Sequence, residues 1–238
     1  MKLNCKKTKN IIFNFSRNNQ VSTELKIDGE VVETVGETKL LGTHITDNLS
    51  WDKNTQSIVK ESNKRMIFLH KAAQFTNNLN DLKRIYIMQV RSKLEQSAVL
   101  WHFGLSDKNR TKLERVQKSA LKVILGKRYT TYSDALKKLN IETLEDIRKS
   151  LCLKFAKKCL QVEKLKKLFP KNLRNHTMLK RGSEKFKVNR SLTTRYKNSA
   201  IPQMQRMLNL HEKQRQKIMK EISLPVNYGF CKSLSLRQ

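Results

Sequence analysis

Ser106-Asp107-Lys108-Asn109-Arg110-Thr111-Lys112-Leu113-Glu114-Arg115-Val116-Gln117-Lys118-Ser119-Ala120-Leu121-Lys122-Val123-Ile124-Leu125-Gly126 is the stretch that sets the fold class. Leu113, Val116, Ala120, Leu121 and Ile124 recur every three or four positions, which is one face of an α-helix. Ser106 is a good N-cap and Gly126 suits the position just past the end, so the spacing predicts a helix between them. Lys112, Arg115, Lys118 and Lys122 recur at the same period beside the apolar face. Lys127 and Arg128 continue that row past the helix end. A chain built around such a helix has a helical core with one strongly cationic side.

The same period extends on both sides. Ser50 can cap a helix from Trp51 to Phe75, with Ile58, Met66, Leu69 and Ala73 turned inward. Leu79, Leu82, Tyr86, Val90, Leu94, Ala98 and Trp101 mark the next, from a cap at Asn78 or Asn80 to a break at Gly104. Ser133 can cap a short helix to Leu139. Leu144, Ile147, Leu151, Phe155 and Cys159 predict a helix from Thr143 to Leu165, closed by Pro170. Upstream of Ser50 the pattern becomes that of strands. Asn10 to Phe15 is apolar and short. Asp28-Gly29 lies between Glu24–Ile27 and Glu30–Val35, a strong hairpin signal. Lys39 to Thr46 is a fourth extended segment, where Gly42 implies a bulge or a close backbone approach. After Pro170 the chain to Lys197 is basic and poor in apolar residues, which favours coil. Ala200 to Leu210 fits a short amphipathic helix with Pro202 in its first turn, and His211 to Ile222 has helix-forming composition. From Pro225 onward fraying is expected. The architecture expected is α+β: a small antiparallel sheet in residues 1–50, a mainly α-helical basic bundle in 51–170, and a basic, partly disordered extension in 171–238.

The 238 residues carry 50 Lys and Arg against 20 Asp and Glu, a formal net charge of +30. Residues 1–60 are net +2, residues 61–160 net +13 and residues 161–238 net +15. An excess this large repels itself unless an anionic partner neutralises it, and nucleic acid, RNA or DNA, is the first expectation. Phosphate contacts would not confer base specificity. Tyr129 and Tyr132, beside Lys127 and Arg128, could stack on bases or pack in the core. No run of about 18 apolar residues occurs, so no spanning helix is expected. An anionic membrane surface ranks second to nucleic acid as the neutralising partner, and no membrane is among the partners expected. Gly-rich phosphate loops, metalloprotease helices and nucleophile elbows are missing. Glu145-Asp146 is the only adjacent acidic pair, in a helix first turn where acids offset the dipole. Cys5, Cys152, Cys159 and Cys231 lack zinc-knuckle spacing. Cys152 and Cys159, two helical turns apart, read as packed thiols.

Several short motifs, in order, resemble one family. Asn4-Cys5-Lys6-Lys7-Thr8-Lys9 before an apolar strand is similar to the Asn-x-x-Lys-Thr-Lys segment of jockey-like non-LTR retrotransposon reverse transcriptases. Lys39-Leu40-Leu41-Gly42 followed by Leu49-Ser50-Trp51 resembles their primer grip and the start of the thumb. Ile85-Tyr86, Val90-Arg91-Ser92-Lys93-Leu94-Glu95 and Trp101 resemble the following thumb helix, with Gln96 where the family has an aromatic residue. Leu113-Glu114-Arg115-Val116-Gln117-Lys118 resembles the family's Leu-Glu-Arg-Val-Gln-Lys, and Tyr132, Ala135-Leu136, Leu144-Glu145 and Arg148 continue the pattern. Arg195-Tyr196-Lys197-Asn198-Ser199 is similar to the variable tails of such elements.

The resemblance spans residues 3–170 and implies the end of a palm, a thumb and a C-terminal extension. It implies that the metal-binding aspartates and their magnesium belong to sequence upstream of this region, so no cofactor and no catalytic residue are expected here. Lys7 would match the lysine that assists pyrophosphate departure, and Leu41 and Gly42 the primer-grip positions. With Lys9 and Arg91 they join Lys112, Arg115, Lys118, Lys122, Lys127 and Arg128 as candidate nucleic-acid-binding residues. The partners implied are a template–primer duplex and the palm and fingers of the parent enzyme. The rival expectation is a host RNA- or DNA-binding, or ribonucleoprotein, module on a basic helical bundle.

Overall fold

The computed structural model describes residues 4, 7–15, 24–171 and 185–222, with side chains described as far as 215. The chain is α+β. Its strands are β1 (Lys9–Asn10), β2 (Lys26–Ile27), β3 (Glu30–Val31), β4 (Glu33–Thr34), β5 (Glu37–Leu40) and β6 (Thr43–Thr46). Helices α1 (Asp52–Phe75), α2 (Leu79–Ile85), α3 (Ser92–Glu95), α4 (Ala98–Trp101), α5 (Asp107–Leu125), α6 (Tyr132–Leu139), α7 (Leu144–Cys159), α8 (Glu163–Lys166), α9 (Thr194–Lys197) and α10 (Ala200–Ile222) follow. The chain forms two compact units, one of residues 1–155 with 191–200, the other of residues 156–190 with 201–238.

In place of one antiparallel sheet, the first unit holds three two-stranded ladders. The β2–β3 hairpin turns at Asp28-Gly29, with φ of 50° and 83°, as the Asp-Gly pair requires. The β5–β6 hairpin turns the same way at Leu41-Gly42, with φ of 47° and 83°. Lys39 to Thr46 is therefore not one strand with a bulge. Gly42 takes the second left-handed position of a two-residue turn, and Leu41 accepts the strained first one. The third ladder is parallel and joins β1 to β4. Only Asn10 of the expected strand Asn10–Phe15 is paired, and Phe13 and Phe15 are exposed.

The helical core is built on α1, α5 and the segment between them. Helix α5 spans the expected residues, with Ser106 Oγ accepting from the Asn109 N–H at 3.4 Å and Gly126 at φ 51°. Helix α1 begins at Asp52, whose N–H donates to Ser50 Oγ at 3.3 Å. Asn109 Nδ2 donates to Asp52 Oδ1 at 2.6 Å and ties the starts of the two helices together. Gly104 lies under the Trp51 indole, so close that a Cβ there would stand 2.5 Å from Nε1.

Leu82, Tyr86, Val90, Leu94 and Ala98 stand four residues apart, and all are buried. At about 100° per residue, each such step over-rotates an α-helix by about 40°. A π-helical stretch over Tyr86–Arg91, with its wider turn, absorbs that rotation and returns Val90 and Leu94 to the core. The expected single helix from Leu79 to Trp101 is also broken at Ser97, φ 54°, where Trp101 Nε1 donates to the freed Gln96 carbonyl at 3.0 Å.

Two further boundaries, the start of α6 and the end of α7, differ from expectation. Thr131, not Ser133, caps α6, because its Oγ1 accepts the Asp134 N–H at 3.2 Å. Helix α7 starts where expected: Thr143 caps it, its Oγ1 accepting the Asp146 N–H at 3.2 Å and donating to Asp146 Oδ2 at 2.6 Å. That helix ends at Cys159, well before Pro170, and α8 follows as a separate turn.

In the second unit Ala156, Cys159, Phe169, Phe186, Met204 and Leu208 are buried. Asn209 acts as a strand partner for Phe186, accepting its N–H at 2.9 Å and donating to its carbonyl at 3.0 Å. Ala200 to Ile222 is one helix, not a short one followed by a separate charged segment. Cys152 and Cys159 are buried free thiols. Cys5, Cys231, the expected fraying after Pro225 and much of the expected coil after Pro170 lie outside the described residues.

Candidate nucleic-acid interface

Helix α5 sorts its residues by period. Leu113, Val116, Gln117, Ala120, Leu121, Ile124 and Leu125 are buried, while Arg115, Lys118 and Lys122 are exposed and Lys112 is half-buried. Among the described residues no carboxylate pairs with any of these four cations. Lys112 lies near Asp52, whose carboxyl is held below its ordinary range by hydrogen bonds from Asn109 and Ser50, then by Lys112 and Lys108. Lys122 Nζ stands 5.5 Å from the Tyr129 ring centroid. The row therefore has two unencumbered members, Arg115 and Lys118, between two that have neighbours. Lys127 and Arg128 are exposed on the turn that follows the helix, where the Arg128 carbonyl accepts from Lys138 Nζ at 3.1 Å.

A second cationic feature surrounds the β5–β6 turn, and the sequence motif marks only its tip. Leu41 is 90% exposed. A Cβ on Gly42 would stand 2.9 Å from Gln96 Nε2, and Gln96 Oε1 accepts from Lys93 Nζ at 2.5 Å. Burial lowers the Lys93 pKa, and the charges of Arg65 and Lys39 lower it further. Arg65 is itself fixed by Nη1 donating to the Gln89 carbonyl at 3.2 Å. The charges of Arg65 and Lys39 thus both act on Lys93 beside the hairpin tip, opposed more weakly by the Glu61 carboxylate, so the spot is net basic. Lys39 adjoins the Leu-Leu-Gly motif, a signal within the sequence itself. Arg65 comes from α1 and is brought in only by the fold.

The remaining candidates fall elsewhere. Arg91 Nε donates to Glu95 Oε1 at 2.5 Å, and both side chains are largely covered, so Arg91 serves an internal ion pair. Lys9 lies 3.7 Å from Glu33 across the parallel ladder. Lys7 is exposed on a turn whose Asn4 carbonyl accepts the N–H groups of Lys7 and Thr8 and the Thr8 hydroxyl. These three do not join the α5 row.

The other motif residues converge on a buried polar network. Tyr86 Oη donates to Gln117 Oε1 at 2.6 Å. Gln117 Nε2 donates to Tyr132 Oη at 2.9 Å and to the Glu142 carbonyl at 3.0 Å. Tyr132 in turn donates to Glu114 Oε1, which also accepts the Leu144 N–H at 3.3 Å. Burial, and for Tyr132 also the Glu114 carboxylate, pushes both phenols well above their ordinary range. Tyr132 is therefore a structural residue rather than a stacking platform. Beside this network Arg148 is fully buried, 5.7 Å from the Trp101 ring.

Among the described residues, no three His, Cys, Asp or Glu side chains are grouped to hold a metal ion. Glu145 pairs with Lys149 and Arg110, and the Asp146 carboxylate accepts from the Thr143 hydroxyl at the start of α7. No described helix is long and apolar enough to cross a membrane. Comparison of the chain with protein-family models, curated proteins and solved structures gives no match.

Proposed function

We propose that the chain is the palm-edge, thumb and C-terminal part of a jockey-like non-LTR reverse transcriptase, gripping a template–primer duplex without polymerising by itself. The observation that carries this reading is the exposed α5 row without carboxylate partners. From Lys112 to Lys122 the row is about 15 Å long at the α-helical rise. Over that length one strand of a duplex presents about four phosphates, of which Arg115 and Lys118, the two unencumbered cations, would each neutralise one. The basic crowding beside the Leu41-Gly42 tip supports the same reading, since it offers a second anionic contact on the same unit. The ordered motifs of the sequence supply the family.

Fluorescence anisotropy with a 20-base-pair RNA–DNA hybrid, titrated in salt, tests the grip. Binding should weaken steeply with salt. Arg115→Gln with Lys118→Gln should reduce the log–log slope by about 2, near 0.9 for each phosphate no longer neutralised. Salt-independent binding, or an unchanged slope in the double variant, overturns the assignment of the row. With magnesium and nucleotides added, the chain alone should give no template-dependent primer extension, and extension would overturn that half of the proposal.

A further inference from the structure

A recess of about 450 Å³ lies between Phe15, Leu49, Thr193, Arg195, Tyr196 and Ser199. A second of about 530 Å³ adjoins it, sharing Leu49, Arg195 and Ser199 and reaching the Trp51 and Phe103 side chains. Each is within the range of about 300–1,000 Å³ usual for pockets that take small ligands. Every residue lining them belongs to the first unit. Segment 191–200 therefore returns to the unit formed by the first 155 residues and makes one wall of the recess.

The lining has a definite chemistry. The Arg195 guanidinium stands 4.3 Å from the Phe15 ring centroid, which holds the guanidinium in place over the ring. Arg195 has no ion pair among the described residues, and no carboxylate lines either recess. Phe15 and Tyr196 remain about half exposed, although exposed aromatic rings are costly in water. Thr193 and Ser199 fix the Tyr196 backbone, Thr193 Oγ1 accepting its N–H at 3.2 Å and Ser199 Oγ donating to its carbonyl at 2.8 Å. Aromatic faces, one guanidinium without an ion pair and no acid describe a site for a flat ring bearing an anion. A nucleotide supplies both, with its base stacked on an aromatic or guanidinium face and its phosphate on the cation.

We propose that this recess holds one unpaired nucleotide of the strand adjoining the duplex that α5 grips. The inference rests on the nucleic-acid reading above and names a further contact for it. The base lies against Arg195 and Tyr196, and the phosphate takes the free edge of the guanidinium. The site reads no sequence, because every base offers a stacking face.

The test uses one hybrid in three forms: blunt, with a six-nucleotide overhang, and with the same overhang made abasic. A short single strand carrying 2-aminopurine is measured separately. The wild-type chain should bind the overhang form at least about fivefold tighter than the blunt one, roughly what a single stacked base supplies. The abasic overhang should lose that preference, and 2-aminopurine fluorescence should be quenched on binding. Arg195→Gln and Tyr196→Leu, both at exposed positions, should abolish preference and quenching while leaving blunt-duplex affinity unchanged. Equal affinity for blunt and overhang forms, or a preference that survives in the abasic form or in both variants, overturns the proposal. Absence of blunt-duplex binding with the single strand still quenched overturns the α5 reading and leaves this one standing.

Discussion

Gln117 is the centre of the buried network, and its replacement measures what the network contributes. Gln117→Leu preserves much of the volume but removes three hydrogen bonds, from Tyr86 and to Tyr132 and the Glu142 carbonyl. Tyr86 is fully buried, so its hydroxyl is left without a partner at a cost of about 1–3 kcal/mol. Tyr132 keeps Glu114, and residue 142 reaches solvent, so those two losses amount to no more than about 1 kcal/mol each. The expected destabilisation is about 1–5 kcal/mol in total. Tyr86→Phe alone strands Gln117 Oε1 and should cost about 1–2 kcal/mol. In the Gln117→Leu background the same change removes an already stranded hydroxyl and should recover the about 1–3 kcal/mol that stranding it cost. The difference between a cost of about 1–2 kcal/mol and that gain is a coupling energy of about 2–5 kcal/mol, accessible by a double-mutant cycle. Urea unfolding followed by tryptophan fluorescence is the assay, since Trp51 and Trp101 both belong to the first unit. If Tyr86→Phe costs as much with Leu at position 117 as with Gln, the hydrogen bond is not the source of the effect and the reasoning fails.

Gly104→Ala brings a methyl group against the rigid Trp51 indole, and overpacking of that kind should cost about 1–3 kcal/mol. An unchanged melting temperature would show that Trp51 does not pack there. Burial, with Arg148 beside it, lowers the His102 pKa from 6.5 to about 4, so the unfolded chain takes up the proton first as pH falls. The stabilisation is complete above about pH 6.5 and is lost as pH drops through about 4, by up to roughly 3 kcal/mol. His102→Leu should flatten that dependence of the urea midpoint, and an equal slope in both proteins counts against it. Burial pushes the Cys152 thiol up to about 12, so iodoacetamide at pH 8 should label it only after denaturation, as read by peptide mass spectrometry.

How far the sequence carries the fold depends on whether each signal is local. Ser106 and Gly126 bracket α5 because a cap and a left-handed glycine act within one turn. Asp28-Gly29 specifies its hairpin for the same reason. Leu41-Gly42 makes the same turn within a stretch whose pattern is that of a strand, because a leucine at φ 47° is sterically disfavoured and nothing local announces it. The π-helical stretch is present in the four-residue spacing from Leu82 to Ala98, but only as a drift that grows with length. Small polar residues on α1 are invisible as core. Thr55 and Ser62 are buried, and Asn54 is buried accepting the His44 N–H at 3.2 Å. The same distinction holds for the candidate interface. The α5 row follows from one helical period, whereas Arg65 joins Lys39 and Lys93 only through tertiary packing.

The six residues Leu113 to Lys118 show why one motif should not be given one role. Leu113, Val116 and Gln117 are buried, and Glu114 holds Tyr132 and the start of α7. Arg115 and Lys118 emerge on the far side without a carboxylate partner. A helix separates these two sets by its period alone, so adjacent substitutions should act on different properties. Gln117→Leu should lower stability while the folded fraction keeps its salt slope for duplex binding. Arg115→Gln with Lys118→Gln should lower that slope while the unfolding midpoint stays within about 0.5 kcal/mol, as for other surface changes. Arg91, by contrast, is tied into an ion pair with Glu95 and its loss should touch stability first. Under the proposed function the counterion of Arg115 and Lys118 is a phosphate backbone, and a lowered slope at an unchanged midpoint is the result that the proposal requires.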